Sequence, residues 1–254
     1  MEKKYISDFS KLSQFYKSNI TKNEICVFYF SLQLKLEKCN KFYRFLSPDE
    51  KEKYQRYHSK EDALRYVMGR GIIRILLGGY TGIAPEDLEF EYSQKGKPTL
   101  KSTRNRNKIC FNLSHSAEAL VVAITVDREV GIDIEEIKEL PEEELLARQF
   151  FTPLEYERYR YMKERNDLKA FYKCWTRKEA YVKATGEGLT GAFIESDIQF
   201  CEGAETILPA REGKCWILKD LSVTHDMAAA LCVEGRSWQT VIHYFQADEV
   251  DINI

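Results

Sequence analysis

The two halves of this chain resemble each other in sequence, and this repetition restricts the folds that the chain can adopt. Three blocks of the first half recur in the second half: Ser114-His115 as Thr224-His225, residues 87–90 as residues 197–200, and residues 47–57 as residues 152–161. The first two blocks share one offset, since 224 − 114 and 197 − 87 both equal 110, and the third has an offset of 105 (152 − 47), as a difference in loop length would produce. A duplicated unit predicts two similar halves packed as an intramolecular pseudo-dimer. Chance similarity between short blocks is the alternative.

The hydrophobic pattern predicts a mixed α/β (α+β) fold in each half. Short strand-like runs such as ALVVAITV alternate with longer stretches of helical periodicity. One predicted helix covers residues 60–77 and stops at Gly78-Gly79, and another covers residues 168–185 and stops at Gly186. A division near residues 126–128 gives an N-terminal lobe of residues 1–127 and a C-terminal lobe of residues 128–254. We expect the active site in the cleft between these pseudosymmetric lobes.

Composition excludes some partners and indicates a compartment. The formal net charge is only −2, so we expect neither nucleic acid nor an anionic membrane as the partner. The seven cysteines include no C-x-x-C pair, which favours reduced thiols in a cytoplasmic protein. The N-terminus lacks the apolar core of a signal peptide, and no stretch is long enough for a membrane helix. An internal pseudo-dimer further favours a monomer.

The segment VGIDIEEI, residues 130–137, places two carboxylates on one strand. In a β-strand Asp133 and Glu135 point to one face, while Ile132 and Ile134 point to the other. At about 5 Å the two charges repel by roughly 3–4 kcal/mol with an effective dielectric near 20. A solvated face on an edge strand is the simplest interpretation, and a cation site is the functional one.

A second group of polar residues lies in the segment FYKCWTRKEAYVKATGEG, residues 171–188. Trp175, Glu179 and Lys183 recur every four residues and so lie along one ridge of a helix. A surface ion pair between Glu179 and Lys183 would explain them equally well. With Ser114 and His115, however, the three carboxylates and the lysine form a set suited to Mg²⁺ holding a polyphosphate, whereas zinc would prefer cysteine.

The motifs of this chain resemble those of the Sfp-type 4′-phosphopantetheinyl transferases. The resemblance runs from about residue 47 to residue 233 and rests on four motifs in the family's order: G-K-P at 96–98, F-N-x-S-H-S at 111–116, G-I-D-I-E at 131–135, and W-x-x-K-E-A-x-x-K at 175–183. It implies a two-lobed pseudosymmetric α/β enzyme that uses Mg²⁺. Such an enzyme transfers 4′-phosphopantetheine from coenzyme A to a serine of an apo acyl or peptidyl carrier protein and releases 3′,5′-ADP.

The same resemblance implies a role for individual residues. It makes Asp133, Glu135 and Glu179 the magnesium ligands and counts Asp133, Glu179 and Lys183 as catalytic. The residues implied to bind coenzyme A are Lys53, Arg65, Gly96, Lys97, Pro98, Ser114, His115 and Lys183. Among them Lys183 would contact the pyrophosphate, Ser114 and His115 the phosphates, Lys97 and Pro98 the adenine, and Arg65 and Lys53 the 3′-phosphate, with Lys51 as the alternative to Lys53.

The mechanism expected from these residues needs no nucleophile in this chain, because the attacking hydroxyl belongs to the carrier protein. Glu179 is the first candidate for the general base, either directly or through metal-bound water, and Lys183 would stabilise the departing phosphate. Two other functions remain open from the sequence: a non-catalytic module that binds carrier protein or nucleotide, and another Mg²⁺-dependent phosphotransferase or nuclease.

Overall fold

The computed structural model describes residues 2–6, 20–32, 36–165, 167, 169–188, 205–211 and 213–246. The repeated block at residues 197–200 therefore lies outside the described residues. The first half contains β1 (Glu2–Ile6), β2 (Glu24–Ser31), α1 (Leu36–Tyr43), α2 (Pro48–Gln55), α3 (Lys60–Thr81), a short 3₁₀ helix (Pro85–Asp87), β3 (Phe90–Tyr92), β4 (Pro98–Leu100), β5 (Ile109–Ser116) and β6 (Ala119–Val126). The second half contains β7 (Val130–Glu136), α4 (Glu143–Phe150), α5 (Pro153–Lys163), α6 (Ala170–Thr185), β8 (Thr206–Arg211), β9 (Lys214–Asp220), β10 (Met227–Glu234) and β11 (Gln239–Gln246).

The two halves share one topology. The first sheet has the strand order β1-β11-β2-β6-β5, the second has β7-β10-β9-β8, and β3 and β4 form a separate hairpin. In each half a strand leads into helices, and two further strands follow, of which the last inserts beside the first. The orders β2-β6-β5 and β7-β10-β9 are equivalent, with antiparallel pairing throughout. The predicted α/β fold of two similar lobes is confirmed.

The starts of α2 and α5 show the duplication at the level of single residues. Both helices have proline in the first turn, after Ser47 in α2 and after Thr152 in α5. Three residues on, Glu50 and Glu155 accept the backbone N–H of these capping residues at 3.0 and 2.8 Å. Each glutamate is buried with a cation from the long helix of its own half: Glu50 with Arg74 and Glu155 with Lys178. The two segments aligned at an offset of 105 residues therefore form equivalent helix starts.

One detail of the predicted repeat and one predicted helix end are wrong. Ser114 lies within β5, whereas Thr224 lies in the connection between β9 and β10, because that connection is longer than the two-residue turn between β5 and β6. Helix α3 also runs through Gly78 and ends at Thr81, and Gly82, with a φ of 72°, forms the left-handed cap. A Cβ on Gly78 would lie 2.9 Å from the carbonyl oxygen of Ile83, so this glycine permits close packing rather than ending the helix.

The chain crosses back to the first half at its end. Strand β11 pairs in parallel with β2 and, on its other side, with β1. Residues 239–246 thus belong to the first sheet, although the predicted C-terminal lobe runs to residue 254. Pairing between strands distant in sequence is set by the packed sheet and leaves no local pattern that a division of the sequence could use.

The two sheets pack face to face, with helices on their outer sides. A shared apolar core between them includes Val27 from β2, Ile132 from β7 and Leu231 from β10, all fully buried. Helix α3 covers the other side of the first sheet, and α6 covers the second. Among the described helices none has the length and apolar character that crossing a bilayer requires. The edges of the two sheets at β5 and β7 meet at the site described next.

Candidate functional site

Strand β7 presents its carboxylates on the face opposite the shared core. Ile132 and Ile134 are fully buried between the sheets, while Asp133 and Glu135 point to the other side, as the alternation predicts. The residues paired with these acids on β10 are Ala230 and Ala228. Small neighbours leave room beside the two acids, so the face is open to side chains from a packed helix.

Gly131 allows helix α6 to approach β7 closely enough to complete this face. A Cβ at Gly131 would lie 2.0 Å from the carbonyl oxygen of Ala180 and 2.3 Å from the backbone nitrogen of Ala184. Real side chains do not tolerate such distances, so glycine is required at this crossing. The contact explains the glycine of G-I-D-I-E and brings Glu179 and Lys183, which flank Ala180 along the helix, to the acidic face.

The W-x-x-K-E-A-x-x-K motif follows from this packing. Trp175 stacks on Phe171 with ring centroids 5.7 Å apart. Lys178 points inward to the buried carboxylate of Glu155 at 2.7 Å. Ala180 packs on Gly131, and the adjoining Glu179 together with Lys183 is left for the site. Only part of the motif therefore carries chemistry, and the rest holds the helix in place.

Asp133, Lys183 and Ser114 form the centre of the site. The Lys183 ammonium donates to Asp133 Oδ1 at 2.6 Å and to Ser114 Oγ at 2.9 Å. Ser114 Oγ also donates to Asp133 Oδ1 at 2.8 Å. Asp133 is only 2% exposed, yet its Oδ2 has no hydrogen-bond partner in the described part of the chain. A buried carboxylate oxygen without a partner is a position that a ligand can fill.

Ser116 and Asn112 belong to the same network, although the sequence reasoning assigned them no role. Ser116 Oγ donates to Glu135 Oε2 at 2.8 Å and accepts the backbone N–H of Glu136. Asn112 Oδ1 accepts the backbone N–H of Ile132 at 2.9 Å. Asn112, Ser114 and Ser116 alternate along β5 and so point to the same side of the strand. This alternation of polar residues in the sequence could have indicated a polar edge facing β7. The network joins the two sheet edges and fixes the acids.

Burial and neighbouring carboxylates raise the pKa values of Glu179 and Glu135. Burial, and then the charges of Asp133 and Glu135, raise the pKa of Glu179 to about 7, with Lys183 opposing the shift. Burial and the charge of Asp133 also raise the pKa of Glu135, although the hydrogen bond from Ser116 lowers it. Negative charge is therefore crowded here, and a bound cation would relieve the crowding.

The donor set fits a hard divalent cation. It offers carboxylate and hydroxyl oxygens without sulfur, and these are the ligands that Mg²⁺ prefers. The unpartnered Oδ2 of Asp133 is an oxygen that could coordinate the cation. No three His, Cys, Asp or Glu side chains converge at metal-binding distance within the described ranges. The cation that occupies the acidic face is the ammonium of Lys183.

Arg65, a cationic side chain of the first half, lies near this acidic face. Arg65 on α3 donates from Nε to the carbonyl oxygen of Ala117 at 3.1 Å, which ties the arginine to the turn after β5. Desolvation by the surrounding protein, and then the charges of Lys183 and Arg65, lower the pKa of His115. The guanidinium of Arg65 also pairs with Asp62 at 2.9 Å and with Glu61 at 3.2 Å. Lys183 and Arg65 are thus the cations close enough to His115 to act on its imidazole in the described part of the chain.

The remaining predicted residues lie on α2 and on the β3–β4 hairpin. Lys53 on α2 holds its ammonium 5.1 Å above the ring of Tyr66, the residue after Arg65, whereas Lys51 lies over the ring of Tyr43. In the hairpin, Gly96 has a φ of 84° in the turn and Pro98 begins β4. Lys97 donates to the carbonyl oxygen of Ala184, at the end of α6.

Known proteins match the chain in both halves. The sequence model of the 4′-phosphopantetheinyl transferase superfamily matches residues 129–232, and the model described as 4′-phosphopantetheinyl transferase, N-terminal, matches residues 35–127. The 4′-phosphopantetheinyl transferase HetI of Nostoc sp. is 37% identical over 194 residues, which cover 76% of this chain and 81% of HetI. The 4′-phosphopantetheinyl transferase Sfp of Bacillus subtilis is 28% identical over 206 residues, 80% of this chain and 89% of Sfp. The rat L-aminoadipate-semialdehyde dehydrogenase-phosphopantetheinyl transferase is 30% identical over 208 residues, 74% of this chain and 67% of the rat protein. The chain therefore belongs to the 4′-phosphopantetheinyl transferase superfamily and is an enzyme of this type.

Proposed function

We propose that this enzyme transfers the 4′-phosphopantetheine group of coenzyme A to a serine hydroxyl of an apo acyl or peptidyl carrier protein, with Mg²⁺, and releases 3′,5′-ADP. The observation that carries the proposal is the juxtaposition of an acidic face with a cationic border. Asp133 and Glu179 supply the acidic face, and Lys183 and Arg65 supply the cationic border, with the imidazole of His115 between these charges. A diphosphate bridged by a divalent cation has the charges that such a surface complements.

Asp133, Glu135 and Glu179 would hold the cation. When bound, Mg²⁺ would neutralise negative charge on the phosphoryl oxygens of the substrate. Ser114 and Lys183 share Asp133 Oδ1, so the same hydroxyl and ammonium can turn toward phosphate oxygens without leaving the site. His115 and Arg65 would face the remaining phosphates of coenzyme A, and Lys53 extends the cationic border along α2.

The hairpin turn at residues 96–98 would lie along the adenine. The Lys97 ammonium is already engaged by the protein, which leaves its aliphatic stem and Pro98 as the apolar surface for a flat base. Gly96 contributes a left-handed turn and no side chain. The base would therefore contact carbon atoms and backbone, and the charge of Lys97 would point away from it.

In the transfer step an oxygen–phosphorus bond forms between the carrier serine and phosphopantetheine, and the bond from that phosphorus to the bridging oxygen of 3′,5′-ADP breaks. Glu179 is our candidate for the acceptor of the serine proton, directly or through a water, because it stands on a rigid helix beside Asp133 and Glu135. Lys183 would stabilise the negative charge on the leaving phosphate. No group of this chain becomes covalently attached to the substrate.

The direct test is mass spectrometry of an apo carrier protein incubated with the enzyme, coenzyme A and Mg²⁺. The expected result is a gain in carrier mass equal to one phosphopantetheine, with release of 3′,5′-ADP. A carrier whose acceptor serine is replaced by alanine is the matched control and gains nothing. A panel of apo carriers that all stay unmodified while a known transferase modifies them would refute the proposal. The cytoplasmic location and the monomeric state stay predictions.

A further inference from the structure

The ammonium of Lys97 joins the first half of the molecule to the catalytic helix of the second half. Lys97 follows the turn of the β3–β4 hairpin, and its Nζ donates to Glu129 Oε2 at 2.8 Å and to the carbonyl oxygen of Ala184 at 2.9 Å. The side chain is only 12% exposed. A charge buried to this extent stays there only when it is paired and hydrogen-bonded, and both requirements are met by residues of the second half.

The contact at Ala184 satisfies a backbone carbonyl in the last turn of helix α6. Helix α6 ends at Thr185, and the backbone carbonyls of a last helical turn have no partner within the helix. The N–H of Gly186 satisfies the carbonyl of Val182, and Lys97 satisfies that of Ala184. A cation at this end also complements the negative pole of the helix. The helix is thus capped by a side chain from the other half of the molecule.

The capped turn is the one that carries catalytic chemistry. Lys183 immediately precedes Ala184, and Glu179 lies about one turn earlier on the same helix. A shift of this turn would change the distance between the Lys183 ammonium and Asp133, which is 2.6 Å. Misplacement of catalytic groups by about 1 Å can cost 10²-fold in rate.

We propose that Lys97 is a positioning residue, which acts through the last turn of α6 to place Lys183 for the reaction. Its kinetic consequence rests on the function proposed above, whereas its structural consequence does not. The aliphatic stem of Lys97 can contact substrate at the same time. The ammonium, however, serves the helix and leaves the binding of substrate to other groups.

The structural test is amide hydrogen exchange of residues 183–186 in the protein without substrate. Lys97→Met keeps most of the stem and removes the charge, so exchange in this turn becomes at least tenfold faster. Lys97→Arg restores much of the protection, and Lys95→Met, at an exposed neighbour in the same hairpin turn, changes nothing. Unchanged exchange in the Lys97→Met protein would overturn the proposal, whether or not the enzyme has the proposed activity.

The kinetic test separates positioning from substrate contact. With coenzyme A and a carrier protein as substrates, Lys97→Met lowers kcat about tenfold or more and changes KM for coenzyme A by less than threefold. Lys97→Arg recovers most of kcat. Glu129→Gln alters the same contact from a partly exposed residue, and it also lowers kcat. A rise in KM alone, with kcat unchanged in both the methionine and the glutamine variants, would show that Lys97 only binds substrate.

Discussion

Replacing Glu179 by glutamine should stabilise the metal-free protein at alkaline pH. The surroundings raise the pKa of Glu179 from an ordinary 4.5 to about 7, so the ionised carboxylate is disfavoured in the folded state. A shift of that size corresponds to about 3 kcal/mol. Because the folded-state pKa lies above the unfolded one, stability falls as the pH rises from 4.5 through 7, and the full cost is present above pH 7. Glutamine has nearly the same shape and no charge to desolvate.

The assay is urea unfolding of both proteins at pH 8.5 and pH 5, with a chelator present. At pH 8.5 the Glu179→Gln protein should be more stable by about 3 kcal/mol. At pH 5 the folded wild type is already protonated at this position, so the difference should fall to about 1 kcal/mol or less. Glu157→Gln, at an exposed position on α5, is the matched control and should be neutral at both pH values.

Addition of Mg²⁺ at pH 8.5 should remove most of this difference in stability. A ligand at 100 times its dissociation constant adds about 2.7 kcal/mol to a protein that binds it only when folded. The wild type should gain this amount, and the glutamine variant, with one carboxylate fewer, should gain less. The reasoning is refuted if Glu179→Gln is destabilising at pH 8.5, or if its effect is the same at both pH values.

Three further substitutions test other parts of the site. Asp133→Asn should lower Mg²⁺-dependent transfer by at least about 10²-fold while coenzyme A binding, measured by calorimetry, only weakens; an unchanged response to Mg²⁺ would contradict the assignment. Gly131→Ala should destabilise the fold by about 3 kcal/mol in urea unfolding, because the added methyl meets the backbone of α6 at Ala180. Glu155→Gln should lower the free energy of unfolding by about 1.5–3 kcal/mol, because it replaces the carboxylate in a charge-assisted hydrogen bond with the buried ammonium of Lys178. A neutral result would show that water reaches this pair.

The sequence predicted those features that depend on local periodicity. Alternation placed Asp133 and Glu135 on one face of β7, with Ile134 on the other, because successive residues of a strand point to opposite sides. Helical spacing similarly placed Glu179 and Lys183 on one ridge. The duplicated capping segments also appeared as a sequence repeat, since each helix start needs the same few residue types.

Other features could not be predicted because they depend on contacts between distant segments. The return of β11 to the first sheet leaves no local signal. The engagement of Lys97 with Ala184 requires the packing of a first-half hairpin against a second-half helix. Gly78 in α3 looks like a helix stop in the sequence, and only the nearby carbonyl of Ile83 shows that it serves packing. Ser116 of β5 can bind Glu135 of β7 only because the edges of the two sheets meet, and the sequence does not show that contact.

The central claim is that the acids of β7 and α6 together bind a divalent cation that holds the diphosphate of coenzyme A. Crystals grown with coenzyme A and Mn²⁺, used as an anomalous scatterer in place of Mg²⁺, allow this claim to be measured directly. We expect one anomalous peak at about 2.0–2.3 Å from carboxylate oxygens of Asp133, Glu135 and Glu179 and from the diphosphate. A peak bound by other residues, or a diphosphate seated with no metal beside these carboxylates, would contradict the account.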